Sequence, residues 1–96
     1  MSRRDLIVVG VGAVGSAAIR AASELGANVL GIELHAPAHA CGSSHGLSRI
    51  FRHAYFEHPD YVPLLRHSTA RFESLERESG ARLLHRCGML VMGPHG

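Results

Sequence analysis

Leu6-Ile7-Val8-Val9-Gly10-Val11-Gly12-Ala13-Val14-Gly15 decides how this 96-residue chain is read. Four apolar residues, three of them β-branched, run into a glycine. That is the pattern of a strand buried on both faces of a parallel sheet. The period changes from Ala13. Val14, Ala17, Ala18, Ala21, Ala22 and Leu25 mark one face of a helix, rich enough in alanine to lie close on a sheet, and Gly26 stops it. Val29 to Ile32 then reads as a second buried strand. Residues 1–33 are therefore strand, glycine turn, helix, strand: one βαβ unit.

The turn matches GxGxxG, and each glycine has a separate physical reason. Gly10 permits the tight exit from the strand, Gly12 lets a pyrophosphate approach the backbone with no Cβ in the way, and Gly15 permits close helix–strand packing. The helix N-terminus adds N–H donors and partial positive charge. Glu33 closes the second strand, 18 residues beyond Gly15, where a carboxylate accepts ribose hydroxyls. A glycine turn used only for packing needs no such acid. The motif by itself does not separate FAD from NAD, but a carboxylate at this place disfavours a 2′-phosphate by repulsion.

Working outward, His35 to Leu47 has no periodicity and holds Pro37, Gly42, Ser43, Ser44 and Gly46, a loop long enough to suggest function. Ser48 to Tyr55 fits either a helical turn or an extended segment. Asp60 is a candidate N-cap for a second helix carrying Tyr61, Leu65, Ser68, Phe72 and Leu75 at helical spacing, with Gly80 as its end. That stripe reads as helix core, and the mixed charges Arg71, Glu73, Glu76, Arg77 and Glu78 as a solvated face with ion pairs. Leu83 to His85 and Met89 to Met92 read as two short strands about a turn at Cys87-Gly88. Two buried parallel strands need more neighbours than this chain supplies, so an incomplete domain is expected.

Composition sets the outer bounds. A net charge of +2, with arginines spread along the chain and no lysine, gives no case for nucleic acid. The first apolar run is too short for a signal-peptide core or a bilayer span, so a soluble cytoplasmic protein is expected. Cys41 and Cys87 form no CxxC pair and read as small packing residues in a reducing compartment. His35, His39, Cys41 and His45 invite a zinc reading, but their spacing is irregular and no second pair follows, so no metal is expected. His53, His58, His67, His85 and His95 are scattered and read as surface or lightly buried.

The second chemical signal is Gly42-Ser43-Ser44-His45-Gly46-Leu47-Ser48-Arg49-Ile50-Phe51-Arg52-His53-Ala54-Tyr55. It sets Arg49, Arg52 and His45 just after the dinucleotide unit. Facing a cofactor ring, such cations would favour an anionic reduced flavin or hold a substrate carboxylate bidentately. From spacing alone, a basic solvated turn fits equally well.

This stretch, with Tyr61-Val62-Pro63-Leu64 after it, resembles the family of monomeric sarcosine oxidases and N-methyl-L-tryptophan oxidases, and the likeness runs from Leu6 to Gly93-Pro94. The resemblance implies an α/β fold: a Rossmann-like FAD-binding βαβ unit over 1–33, a flavin-side loop over 34–59, and the start of a helix-plus-hairpin segment over 60–96. It implies the N-terminal part of a larger flavoprotein, monomeric at full length, that oxidises the CH–NH bond of N-methyl or secondary amino acids. Oxygen reoxidises the flavin and hydrogen peroxide forms. The implied partners are thus a small amino acid and oxygen, with no membrane. The implied FAD contacts are Gly10, Val11, Gly12, Ala13, Val14, Gly15, Glu33, Leu34, Gly42, Ser43 and Arg49. His45 and Arg49 would sit against the isoalloxazine ring as catalytic groups, and Arg52 would pair with the substrate carboxylate.

The sequence departs from the bacterial sarcosine oxidase pattern at Ser44, where a second histidine is usual, and at Leu47, where an aspartate is usual. These departures bear on substrate identity rather than cofactor. Neither cysteine matches the family's flavin-attaching position, and its oxygen-activating lysine has no counterpart in this chain. The alternative from another class is a stand-alone dinucleotide-binding module that partners a separate catalytic chain.

Overall fold

A run of β-branched residues, a glycine exit and an alanine-rich helix are enough to set the first half of the molecule. A computed structural model describes residues 2–54 and 57–94, in two units, Met1–Arg49 and Ile50–Gly96. Tyr55 and His95, both singled out in the sequence, lie outside the described residues.

In the first unit, β1 (Leu6–Val9), α1 (Ala13–Glu24) and β2 (Val29–Ile32) follow in order. The strands pair in parallel, Leu6 against Val29 and Val9 against Ile32. The ladder is extended at both ends, by Asp5 N–H to the Asn28 carbonyl (2.9 Å) and Gly10 N–H to the Ile32 carbonyl (2.8 Å). Asn28 locks the lower end: its amide donates to the Arg3 carbonyl and its backbone N–H to Asp5 Oδ2. This is the expected βαβ unit, with the expected strand limits.

Two expectations about packing are corrected. The helix does not meet the sheet through Val14, Ala18 and Leu25; Val14 and Leu25 are 84% and 88% exposed. Of the expected face only Ala22 is half-buried, and it is joined by Gly15 and Ile19 at i, i+4, i+7 spacing. The Ile19 side chain lies over Gly31, where an added Cβ would stand 2.7 Å from Ile19 Cδ1. The phase of the helix is fixed by the close approach of Gly15 to the strand exit, not by where most alanines fall. Nor are the strands buried on both faces. One helix covers a two-stranded ladder, and no described residue is fully buried.

The second unit is built on α2 (Tyr61–Ser79). Asp60 holds the N-cap position but is itself in helical conformation and makes no side-chain cap. Pro63 falls in the first turn, where a missing N–H costs nothing. Gly80 ends the helix at φ +71, its N–H donating to the Glu76 carbonyl (2.9 Å). Phe72 from the predicted stripe meets Phe51 edge to face, centroids 5.6 Å apart, and His53 hydrogen-bonds the Thr69 hydroxyl (2.5 Å). Glu76 turns its carboxylate back onto the Leu83 and Leu84 N–H groups, and Glu73 pairs with Arg86.

The hairpin expected at 83–85 and 89–92 is not formed: among the described residues the only strands are β1 and β2. Strand propensity measures fit to a pleated, half-buried surface. Leu90 and Met92 are 80% and 84% exposed, so no such surface meets them. No helix among the described residues is long and apolar enough to cross a membrane.

Candidate functional site

β1 delivers the chain into a turn that only glycine makes easily, since Gly10 stands at φ +91. Gly12 is the N-cap of α1, extended, with no side chain closing the helix end. The first helical bond runs from Ser16 N–H to the Gly12 carbonyl (2.9 Å). The amides before it have no intrahelical acceptor and carry the positive end of the helix dipole.

Gly12 and Gly15 differ in what a methyl group would meet. At Gly15 it would collide with the Gly10 carbonyl oxygen, so that glycine serves packing. At Gly12 it would meet nothing within 4 Å. That leaves room for a ligand to approach the backbone at this point.

Glu33, at the end of β2, faces this turn. Its Oε2 accepts the Val11 N–H at 2.8 Å, and its Oε1 accepts the Leu34 N–H at 2.8 Å and the His35 N–H at 3.3 Å. His39 Nε2 stands 3.3 Å from the same Oε1. These donors, the Val11 amide above all and then that of His35, lower the carboxyl from 4.5 to about 2, against the opposing effect of desolvation. Glu33 is therefore an anion at any working pH, able to accept ribose hydroxyls and hostile to a 2′-phosphate.

The loop after Glu33 folds back over the turn. His45 Nδ1 lies 3.1 Å from the Gly42 carbonyl, a contact in which Nδ1 is the donor. One open groove of about 1420 Å³ is walled by the glycine turn on one side and residues 33–47 on the other. That exceeds the roughly 300–1,000 Å³ of ordinary small-molecule pockets and suits a dinucleotide.

Of the residues expected at the site, Gly10, Val11, Gly12, Ala13, Val14, Gly15, Glu33, Leu34, Gly42, Ser43 and His45 all line this groove. Arg49 is not among its lining residues. Arg52 belongs to the second unit, where its guanidinium donates to Glu57 Oε1 at 2.7 Å. The sequence offers His39 only as a zinc ligand. In the structure both its ring nitrogens are engaged within the protein, by the Cys41 N–H (3.0 Å) and Glu33. Nothing in its spacing announced that contact, which depends on the loop doubling back.

The donor set, the open space at Gly12 and the acid at Glu33 fit an adenine dinucleotide without a 2′-phosphate. Residues 5–95 match the family described as FAD dependent oxidoreductase. The N-methyl-L-tryptophan oxidases of Yersinia pestis (strain Pestoides F) and Yersinia pseudotuberculosis (serotype O:1b) are each 48% identical to this chain over 90 residues. Each alignment covers 94% of this chain, which spans 24% of the length of those relatives. No solved structure matches significantly. The chain belongs to the FAD-dependent oxidoreductase family, with FAD as its cofactor.

Proposed function

We propose that this chain supplies the adenosine-diphosphate cradle and the flavin-side loop of an oxidase acting on the CH–NH group of N-methyl or secondary amino acids, with oxygen as acceptor. The observation carrying this reading is that the glycine turn, Glu33 and the Gly42–His45 loop wall a single groove. The names of the relatives support the amine substrate class.

Bound FAD supplies the two-electron acceptor for C–N oxidation. In this reading the amides of Gly12 to Gly15 hold its diphosphate, and Glu33 orients the adenosine ribose. His45, its ring oriented by the contact of Nδ1 with the Gly42 carbonyl, would face the flavin. Arg49 would supply positive charge toward the flavin. Arg52, paired with Glu57 in this structure, orients the substrate carboxylate. The chain by itself binds the nucleotide without turning substrate over.

Titration of the purified chain with FAD and with NAD tests the reading. FAD binding the tighter of the two is the expected result, and NAD binding the tighter overturns it. Peroxide released by the FAD-loaded chain on adding N-methyl-L-tryptophan or sarcosine would contradict the division of labour proposed.

A further inference from the structure

His39 sits where the flavin-side loop returns to the end of β2. Its Nδ1 receives the Cys41 N–H at 3.0 Å, and a backbone amide only donates. The lone pair therefore lies on Nδ1, and in the neutral ring the proton lies on Nε2. That nitrogen stands 3.3 Å from Glu33 Oε1. The ring is held on a third side by the edge of His35, centroids 4.8 Å apart. Ala38, immediately before it, adopts φ +61, an uncommon conformation for alanine that turns the chain back toward Glu33.

The two carboxylate oxygens of Glu33 are thereby made unequal. Oε1 is approached by three donors, the Leu34 and His35 amides and His39 Nε2–H. Oε2, among the described residues, takes the Val11 amide. A carboxylate oxygen has about two lone-pair sites, so Oε1 is saturated and Oε2 has room for one more donor.

We infer that His39 is a positioning residue for the nucleotide site: its Nε2–H tautomer fixes the rotation of the Glu33 carboxylate so that Oε2 is the oxygen offered to a ribose hydroxyl. This rests on the nucleotide reading above and adds to it a residue that selects the ribose. It also links the flavin-side loop to the adenosine end, since one imidazole holds both the Cys41 amide and the ribose acid.

Two near-isosteric variants separate the two bonds. His39→Gln keeps a donor at the Nε2 position, whereas His39→Asn keeps only an acceptor at the Nδ1 position. The probes are ADP and 2′-deoxy-ADP, and the readout is the ratio of their dissociation constants. The wild-type chain is expected to prefer ADP, and His39→Gln to keep that preference. His39→Asn is expected to lose it, with ADP binding falling roughly two- to tenfold, the range for one hydrogen bond. Nitrogen-15 shifts of the imidazole are expected to show an unprotonated Nδ1 and a protonated Nε2 in the free protein. An Nδ1–H tautomer, or a preference for ADP unchanged in His39→Asn, overturns the inference while leaving the nucleotide site standing. A wild-type chain that binds neither ADP nor FAD overturns the functional reading and this inference with it.

Discussion

The Val11 amide and the Glu33 carboxylate are joined at 2.8 Å across 22 residues of sequence. This bond ties the glycine turn to the acid at the end of β2, so the geometry of the turn depends on the charge of Glu33. Glu33→Gln removes the charge and turns an NH₂ group toward amide donors. FAD affinity is expected to fall roughly tenfold or more, as for loss of a charged hydrogen bond. Fluorescence titration checks it, and unchanged affinity would place the ribose elsewhere.

The same carboxylate makes stability depend on acid. Its carboxyl stands near 2 in the folded chain against 4.5 for an ordinary glutamate. Between those values the unfolded chain binds the proton more readily, so the contribution is fully present above about 4.5 and is lost as pH falls toward 2. Glu76, also lowered by the Leu84 and Leu83 amides, acts in the same direction. Thermal unfolding followed from pH 5 downward is expected to show a steeper loss in the wild type than in Glu33→Gln. Parallel curves would contradict it.

Gly12 and Gly15 are expected to fail in opposite ways. Gly15→Ala forces a methyl group into the Gly10 carbonyl and is expected to cost about 1–3 kcal/mol, as overpacking does. Gly12→Ala meets open space at a φ of −81 and is expected to change stability by no more than about 0.5 kcal/mol. It should nevertheless weaken FAD binding, because its methyl group occupies the approach of the diphosphate. Melting temperatures and FAD titrations on both variants check the contrast.

In the second unit, Phe72→Ala removes the edge-to-face contact with Phe51. Phe72 is 36% exposed, so the expected loss is roughly 1–2 kcal/mol, below the ~3–5 kcal/mol of a fully buried phenylalanine. Denaturant unfolding followed through a probe in residues 50–94 measures it.

The parts of this fold legible in the sequence are those set by local chemistry. Leu6–Val9, the glycine turn and Val29–Ile32 are where the apolar runs and glycines place them. The inner face of α1 was misread because alanines are permitted on either side of a helix, whereas Gly15 and Ile19 are required where the backbone meets Gly10 and Gly31. Asp60 makes no side-chain cap, and the strands expected at 83–85 and 89–92 do not form, for a related reason. Composition permits a cap or a strand, but a bonding partner in space makes one. The glycine and acid residues of the groove were legible from their spacing. His39 was not, because its partners, Glu33 and the Cys41 amide, meet it only through the turn at Ala38.

The amides opening α1 are expected to hold the FAD diphosphate while Glu33 holds its ribose. Amide resonances followed during FAD titration of the isotope-labelled chain test it most directly. The largest shifts are expected at Val11, Gly12, Ala13, Val14 and Gly15, with saturation at one equivalent. Saturable binding that leaves those five resonances in place and moves residues of Tyr61–Ser79 instead would contradict it.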